Sequence, residues 1–415
     1  MRVLHINQSE ASGGAAIAGL RLHDAMLKLG IDSYIMAGAI RALTPRVTHV
    51  PGARASDVWL RGVTDFLGLN YLYRYSTFRI PTHEFCTKAD ILNLHNLHSG
   101  YFNYLVLPLL TRGRPAVYTL HDMWAFTGHC AYSYDCERWK SGCGSCPHPD
   151  VYPAIRRDST RFEWKLKKAI FGKTSLTIVT PSRWLAEQAR QSLLKRFAVH
   201  HIPYGLNTDI YRPLDPEKCR EVLQIPKGKK ALLFAAETTT DRRKGFDLLL
   251  NALAALPASL KRKTILIVMG DGTNEAIAKS TGVETLNLGY VGGDILKSIV
   301  FSAADLFIFP TRADNLPVVL QESMACGTPM VSFDIGGVSE LVRPGTTGYL
   351  ARPGDSGDLS RGIVQLLDDD VLRSRMGVNC RAIALEEYSA DLQARRYLDL
   401  YRSILKSGAT DVVKC

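Results

Sequence analysis

The stretch PTRADNLPVVLQESMACGTPMVSFDIGG, Pro310–Gly337, decides how this chain is read. It is mostly apolar, yet it holds two carboxylates, Asp314 and Glu322, with seven residues between them, and small residues and glycines follow. DLFIFPT and TPMVSFD read as buried strands, and NLPVVLQESMACG as a helix with Pro317 in its first turn and Gly327 at its end. The first amides of a helix have no intrahelical acceptor, and with the aligned peptide dipoles they seat an anion such as a pyrophosphate. At ~1.5 Å per helical residue the two acids lie on the order of 10 Å apart. That separation suits a ligand with hydroxyl-bearing groups at both ends of a diphosphate, one acid on a sugar and the other on a ribose. An N-cap-like aspartate followed by an exposed helical glutamate explains the spacing equally well, so both readings stand at this point.

Outward from this stretch the same scheme repeats. KKALLFAAE, TILIVMGDG and ETLNLGYV are further strands, and KGFDLLLNALAAL is a helix. In the first half RVLHIN leads into the small loop QSEASGGAAIAG and then the amphipathic LRLHDAMLKLG, closed by Gly30. DSYIMAG, KADILNLHNLH and RPAVYTLHD are strands, and SLTIVTPSRWLAEQAR is a strand followed by a helix that Ser182 caps. Strands alternating with helices predict an α/β architecture of two doubly wound parallel sheets. HIPYGLNTDIYRPLDP reads as the linker. The expected domains are residues 1–205 and 206–389, with a last amphipathic helix over 390–415 that has no strand after it.

The bulk composition agrees. The 415 residues are too many for one ordinary core, and 46% hydrophobic with 22% charged residues is a globular balance. No apolar run approaches the ~20 residues of a membrane-spanning helix. The start MRVLHINQSE lacks a basic segment followed by an apolar stretch and a cleavage site, so a cytoplasmic protein is expected. The net charge of +11 attracts anions such as nucleic acid, phosphorylated small molecules or an anionic membrane leaflet, and a plain solvated basic surface explains it as well. Four of the nine cysteines, Cys130, Cys136, Cys143 and Cys146, fall close together, which in a cytoplasmic protein reads more readily as a metal site than as disulfides.

Doubly wound sheets bind ligands outside the carboxyl ends of their strands, and two halves facing each other make a cleft. The polar residues at those ends are Asn7, Gly13 and Gly14, His95, His98, His121 and Asp122 in the first half. In the second they are Glu237, Gly270 to Gly272, Asp314, Asp334, Gly336 and Gly337. Gly13 and Gly14 let a ligand approach the backbone ahead of a helix. A neutral His121 imidazole could bond a sugar hydroxyl or take a proton, or simply cap a loop. Lys244, with Arg242 and Arg243 beside it, stands before another helix and could neutralise a diphosphate without a metal.

Together these residues resemble glycosyltransferase family 4, retaining nucleotide-sugar transferases of the GT-B fold, over nearly the whole chain. FPTRADNLPVVLQESMACGTPMVSFDIGGVSELV is similar to the family's two acids separated by seven residues, then MACGTP, then GG and a glutamate. The first acid is usually Glu and here is Asp314, and Asn315-Leu316-Pro317 replaces the usual Gly-Phe-Gly. The resemblance implies two Rossmann-like domains facing a cleft, the first binding the acceptor and the second the donor. The last helix then crosses back onto the first domain. It implies roles for His121, Lys244, Asp314 and Glu322 in catalysis. Donor contacts fall to Gly13, Gly14, Arg243, Lys244, Asn315, Leu316, Pro317, Val318 and Glu322. The family's Arg six residues before the lysine is Thr238 here, so Arg242 or Arg243 takes over that charge.

LHDMWAFTGHCAYSYDCERWKSGCGSCP resembles bacterial exopolysaccharide transferases of the colanic acid type. Its cysteines are spaced by five, six and two residues; a structural zinc, free thiols and disulfides are all open. The expected reaction is transfer from a nucleotide diphosphate sugar, with no catalytic cofactor, to a lipid-linked or other saccharide acceptor. RRDSTRFEWKLKKAIFGK and VWLRGVTDFLGLNYLYRYSTF mix basic and aromatic residues, as a peripheral protein on an anionic membrane would, or as ordinary helices packed on a sheet would. Two rival readings remain: a nucleotide-sugar epimerase on the same fold, and a zinc-containing nucleic-acid-binding protein.

Overall fold

The computed structural model describes residues 1–41, 43–53, 55–69, 71–271 and 279–412. Gly272 lies outside the described residues. The chain divides into two compact units, Met1–Gly205 with the segment from Asp391 onward, and Leu206–Ala390.

In unit 1 the strands are β1 (Arg2–Ser9), β2 (Asp32–Ala39), β3 (Val47–His49), β4 (Ile91–Leu94), β5 (Ala116–Thr119), β6 (Thr177–Thr180) and β7 (Val199–His201). They form one sheet in the order β3-β2-β1-β4-β5-β6-β7, every pair parallel. The central strands β4 and β5 are buried along their whole length, as expected of strands covered on both faces. Leu4, Ile6, Leu92, Leu94 and Tyr118 pack with Phe102, Phe126 and Phe171 in the core. The chain winds outward in both directions from β1 and β4, so the topological switch point lies between them.

The last helix, Ala390–Val412, belongs with this unit from Asp391 on; residues 413–415 of the expected segment lie outside the described residues. Its docking is polar as well as apolar. The amide of Asn93, on β4, donates to the Tyr401 hydroxyl at 2.8 Å, and Thr119 Oγ1 at the end of β5 lies 3.0 Å from the Tyr397 hydroxyl. Both tyrosines are fully buried, and a buried phenol keeps its place only when its hydroxyl is paired.

Unit 2 has β8 (Lys230–Thr238), β9 (Thr264–Asp271), β10 (Glu284–Gly289), β11 (Leu306–Phe309), β12 (Met330–Phe333) and β13 (Gly348–Ala351). The order is β10-β9-β8-β11-β12-β13, again all parallel, with the switch point between β8 and β11. Leu232, Phe234, Ile308 and Val331 pack beneath Leu249, Leu253, Ile363 and Leu366 of two covering helices.

Candidate functional site

In unit 2 the residues after β8 and β11 converge at the switch point. Asp241 caps a short 3-10 turn, Arg242–Lys244, accepting from the Arg243 amide at 2.9 Å. The turn ends at Gly245, whose φ is 69° and where a Cβ would lie 1.9 Å from the Pro310 carbonyl oxygen. Only glycine lets the turn sit against the end of β11. Thr311 Oγ1 and the Arg312 amide both donate to the Arg243 carbonyl, at 3.1 and 2.8 Å, and complete the clamp.

The clamp places Lys244 Nζ 2.7 Å and Arg243 Nη1 3.0 Å from the same oxygen of Asp314. Side-chain exposure is 18% for Lys244, 27% for Arg243 and 11% for Asp314. Burial pushes the Asp314 carboxyl upward, but the Lys244 and Arg243 charges more than reverse this and hold it below the usual carboxylate range. Burial lowers the Lys244 ammonium against the opposing pull of Asp314. Arg242 is exposed, so of the two arginines that could supply the missing charge it is Arg243 that joins the cluster. Thr238 bonds Thr240 Oγ1 at 2.8 Å.

Asn315, Leu316 and Pro317 are buried and lead into the helix Val318–Ala325. Pro317 sits at its N-cap without a capping side chain, so the opening amides have no acceptor within the helix. Gly336, at φ 58°, brings a second loop so close that a Cβ would lie 2.0 Å from the Asp314 carbonyl oxygen. This is the physical use of the first glycine of the pair in the opening stretch. Glu322 is 1% exposed, which excludes the reading of it as a solvated helical glutamate. Its Oε1 accepts from the Tyr211 hydroxyl at 3.1 Å, and that hydroxyl also lies 2.8 Å from Asp294. Tyr211, Asp294, Thr311 and Arg312 carried no signal along the sequence, because each earns its place through a partner 65 or more residues away.

In unit 1, Gly13 has φ 83° at the N-cap of the helix Gly14–Lys28, while a Cβ on Gly14 would meet nothing within 4 Å. Only Gly13 is therefore demanded by the backbone. His121 is 7% exposed and sits in a line of imidazoles: His5 Nδ1 to His95 Nε2 at 3.0 Å, His95 Nδ1 to His121 Nε2 at 3.0 Å, and His121 Nδ1 to the Tyr204 hydroxyl at 2.6 Å. Burial drives His121 down to about 3, with His98 adding to the shift, so the ring is neutral. The sequence left His121 either as a ring that offers a nitrogen to a ligand or as a structural histidine; in the unliganded structure both nitrogens lie within bonding distance of protein partners. Asp122, next in sequence, pairs with His98 Nε2 at 2.8 Å.

The loop beyond Asp122 is anchored by Lys167, from the basic and aromatic segment 156–173. Lys167 is 1% exposed; its Nζ donates to the carbonyls of Trp124 at 2.7 Å and Thr127 at 3.0 Å and lies 3.7 Å from the Trp124 ring centre. Burial lowers it to about 8. Trp164 and Phe171 of the same helix also pack inward, while Arg161, Phe162, Lys165 and Lys168 stay exposed, so the helix is amphipathic.

The zinc expectation gains no support. Among the described residues no group of three or more His, Cys, Asp or Glu side chains is gathered to hold a metal. Cys130, Cys136, Cys143 and Cys146 are free thiols. Burial pushes the Cys130 thiol up to about 12 and the Cys143 thiol up to about 11. Cys143 Sγ instead accepts from the Gly128 amide, and Cys146 Sγ lies 3.3 Å from His129 Nε2.

Two parallel sheets, each with its polar residues gathered at the carboxyl ends of the strands around the switch point, define a protein of the GT-B class. The chain matches the family model Glycosyltransferase Family 4 over residues 12–210 and Glycosyl transferases group 1 over residues 215–382. It belongs to the glycosyltransferase family that these two models describe, and it is a glycosyltransferase. The putative colanic acid biosynthesis glycosyl transferase WcaC of Escherichia coli K12 is 24% identical over 369 residues, covering 83% of this chain and 85% of that relative. Sucrose-phosphate synthase from Thermosynechococcus elongatus has the same fold, with a TM-score of 0.70 at 19% identity over 98% of this chain and 99% of that one. So has Anabaena HepE, solved in complex with UDP and glucose, with a TM-score of 0.69 at 18% identity over 97% and 99%. With the family established, neither a nucleotide-sugar epimerase of the same fold nor a zinc-containing nucleic-acid-binding protein has an observation to carry it.

Proposed function

We propose that this glycosyltransferase moves a sugar from a nucleotide diphosphate sugar to a hydroxyl of a lipid-linked saccharide, with retention at the anomeric carbon, in the building of an exopolysaccharide. The observation that carries the donor half is the pairing of Lys244 and Arg243 on Asp314 just ahead of the uncapped helix Val318–Ala325. Two cations and a row of amides are preorganised for charge that gathers on a leaving diphosphate, the kind of arrangement that supplies most of the stabilisation in such reactions. Asn315, Leu316, Pro317 and Val318 line the diphosphate seat. Asp314 takes the sugar hydroxyls and Glu322 the ribose. Gly13 and Gly14 let the substrate approach unit 1, and His121 positions it by exchanging the Tyr204 hydroxyl for a substrate hydroxyl. No metal has a part in this scheme, since the cations do its work.

The family relation to an exopolysaccharide transferase supports the acceptor class. So does the helix Ala55–Phe66, on which Trp59 is 72%, Val58 68% and Phe66 67% exposed. That is not a helix packed on a sheet; it suits a membrane surface, with the basic chain drawn to anionic lipid. No described helix is long and apolar enough to cross a membrane.

The test is a thermal-shift screen of nucleotide sugars against the intact protein, followed by NMR of the product made with the best donor. A donor that raises the melting temperature and a product keeping the donor's anomeric configuration are expected. An inverted product, or no stabilisation by any nucleotide sugar, sinks the reading.

A further inference from the structure

Outside the residues given roles above, one polar cluster in unit 1 lies at the other switch point. We infer that Gln8, Ser99 and Tyr152, backed by the buried His98–Asp122 pair, form a binding site for the hydroxyls of a saccharide. This rests on the glycosyl-transfer reading and identifies where the acceptor's sugar is held on unit 1.

Gln8 ends β1 and Ser99 follows β4, the two strands that flank the switch point. Ligands of doubly wound sheets settle there. His98 Nε2 lies 2.8 Å from Asp122 Oδ2, and since a carboxylate only accepts, that nitrogen carries the proton. Asp122 Oδ1 is meanwhile occupied by the Trp124 amide at 2.9 Å. The pair is buried, with side-chain exposures of 4% and 11%, and it turns His98 Nδ1 toward the surface.

At the surface the protons run short. Nδ1 lies 3.0 Å from Ser99 Oγ and 3.4 Å from the Tyr152 hydroxyl, and Ser99 Oγ lies 2.7 Å from both that hydroxyl and Gln8 Oε1. Four contacts are served by two hydroxyl protons. A second proton on the imidazole would make three. The cluster is acceptor-rich, and a ligand carrying hydroxyl donors completes it. Tyr152, 57% exposed, offers a ring beside it for the C–H face of a sugar.

The backbone points the same way. Ser99 has φ 75° and Tyr71 has φ 72°, both left-handed without being glycine. The two meet: the Tyr71 hydroxyl bonds the Ser99 backbone, and the Tyr73 hydroxyl donates to the Gly100 carbonyl at 3.2 Å. Side chains held in this region cost free energy, and such positions gather at ligand sites.

Ser99→Gly separates the alternatives. It removes the hydroxyl and relieves the left-handed backbone, so a purely structural serine predicts a raised melting temperature and unchanged binding. The probes are the methyl α- and β-glycosides of glucose, galactose and mannose, at millimolar concentration, read by saturation-transfer NMR on the full chain, with UDP titrated in parallel. The expected result is binding of at least one glycoside to wild type. In Ser99→Gly its dissociation constant rises about 10-fold, the loss of one hydrogen bond of ordinary net strength, while UDP affinity is unchanged and the melting temperature does not fall. Binding of no glycoside by wild type, or equal binding by the variant, overturns the assignment while leaving the donor reading intact. Failure to bind UDP or any other nucleotide diphosphate strikes the donor reading instead.

Discussion

Asp314→Asn probes the cation cluster with opposite signs on two measurements. The carboxylate oxygen shared by Lys244 at 2.7 Å and Arg243 at 3.0 Å is the counter-charge that lets these two partly buried cations sit together. Breaking a buried pair from one side costs about 3–5 kcal/mol because the other charge is stranded. With exposures of 11–27% across the three side chains, and an amide that preserves shape, about 2–3 kcal/mol is the reasonable share here. For a unit of this size each kcal/mol moves the melting temperature by roughly 2–4 °C, so a fall of about 5–10 °C is expected. Arg243 keeps Asp241 Oδ2 at 3.4 Å, while Lys244 loses its bonded carboxylate and gains most from the diphosphate of UDP. Removing a competing negative charge should tighten UDP by about 1–2 kcal/mol, roughly 5–30-fold. Differential scanning calorimetry and isothermal titration of the same preparation read both effects, and turnover should fall because the sugar contact is lost. A variant that melts with wild type, or that binds UDP no better, refutes the argument that Asp314 neutralises the phosphate seat in the unliganded protein.

Glu322→Ala should weaken UDP by about 10–100-fold, the usual range for losing a hydrogen bond to a charged group, and titration calorimetry showing unchanged affinity would remove the ribose assignment. Acid should destabilise unit 1. His121 is lowered by burial to about 3 and His23 to about 4, while His5 and His95 lie well below their ordinary value. Above pH 6.5 these rings are neutral folded or unfolded and contribute nothing; below it the unfolded chain binds protons that the folded one does not, so stability falls. For His121 and His23 at pH 5 that amounts to about 2 kcal/mol each, from 1.5 pH units at 1.36 kcal/mol per unit, and His5 and His95 add in the same direction. Urea unfolding that is flat from pH 7.5 to 5 contradicts this. Trp59→Ser with Phe66→Ser should reduce binding to phosphatidylglycerol vesicles by at least 10-fold without lowering the melting temperature, since both side chains are two-thirds exposed or more; undiminished sedimentation with vesicles would move the membrane contact elsewhere.

Much of the fold was legible along the chain. β1, β4, β5, β8, β9, β11 and β12 were visible as apolar runs because central parallel strands bury both faces. The short edges β3, β7 and β13 were not, since three or four residues paired on one side leave no readable pattern. The mixed basic and aromatic run at 156–173 left a membrane face and a sheet-packed helix equally open, and no pattern marked Lys167 as the lysine that goes inside, where two carbonyls and the Trp124 ring satisfy its ammonium.

Local order alone determined that Asp314 and Glu322 share a helix entrance, that Pro317 opens it and that glycines crowd in behind, since these follow from helix rise and backbone freedom. Partnership did not. That Arg243 rather than Arg242 meets Asp314, that Tyr211 holds Glu322 and that His121 is enclosed by His95 and Tyr204 were decided by contacts between segments far apart in the chain. Burial and Coulomb attraction act through distance in space, and a linear order of residues does not contain that distance.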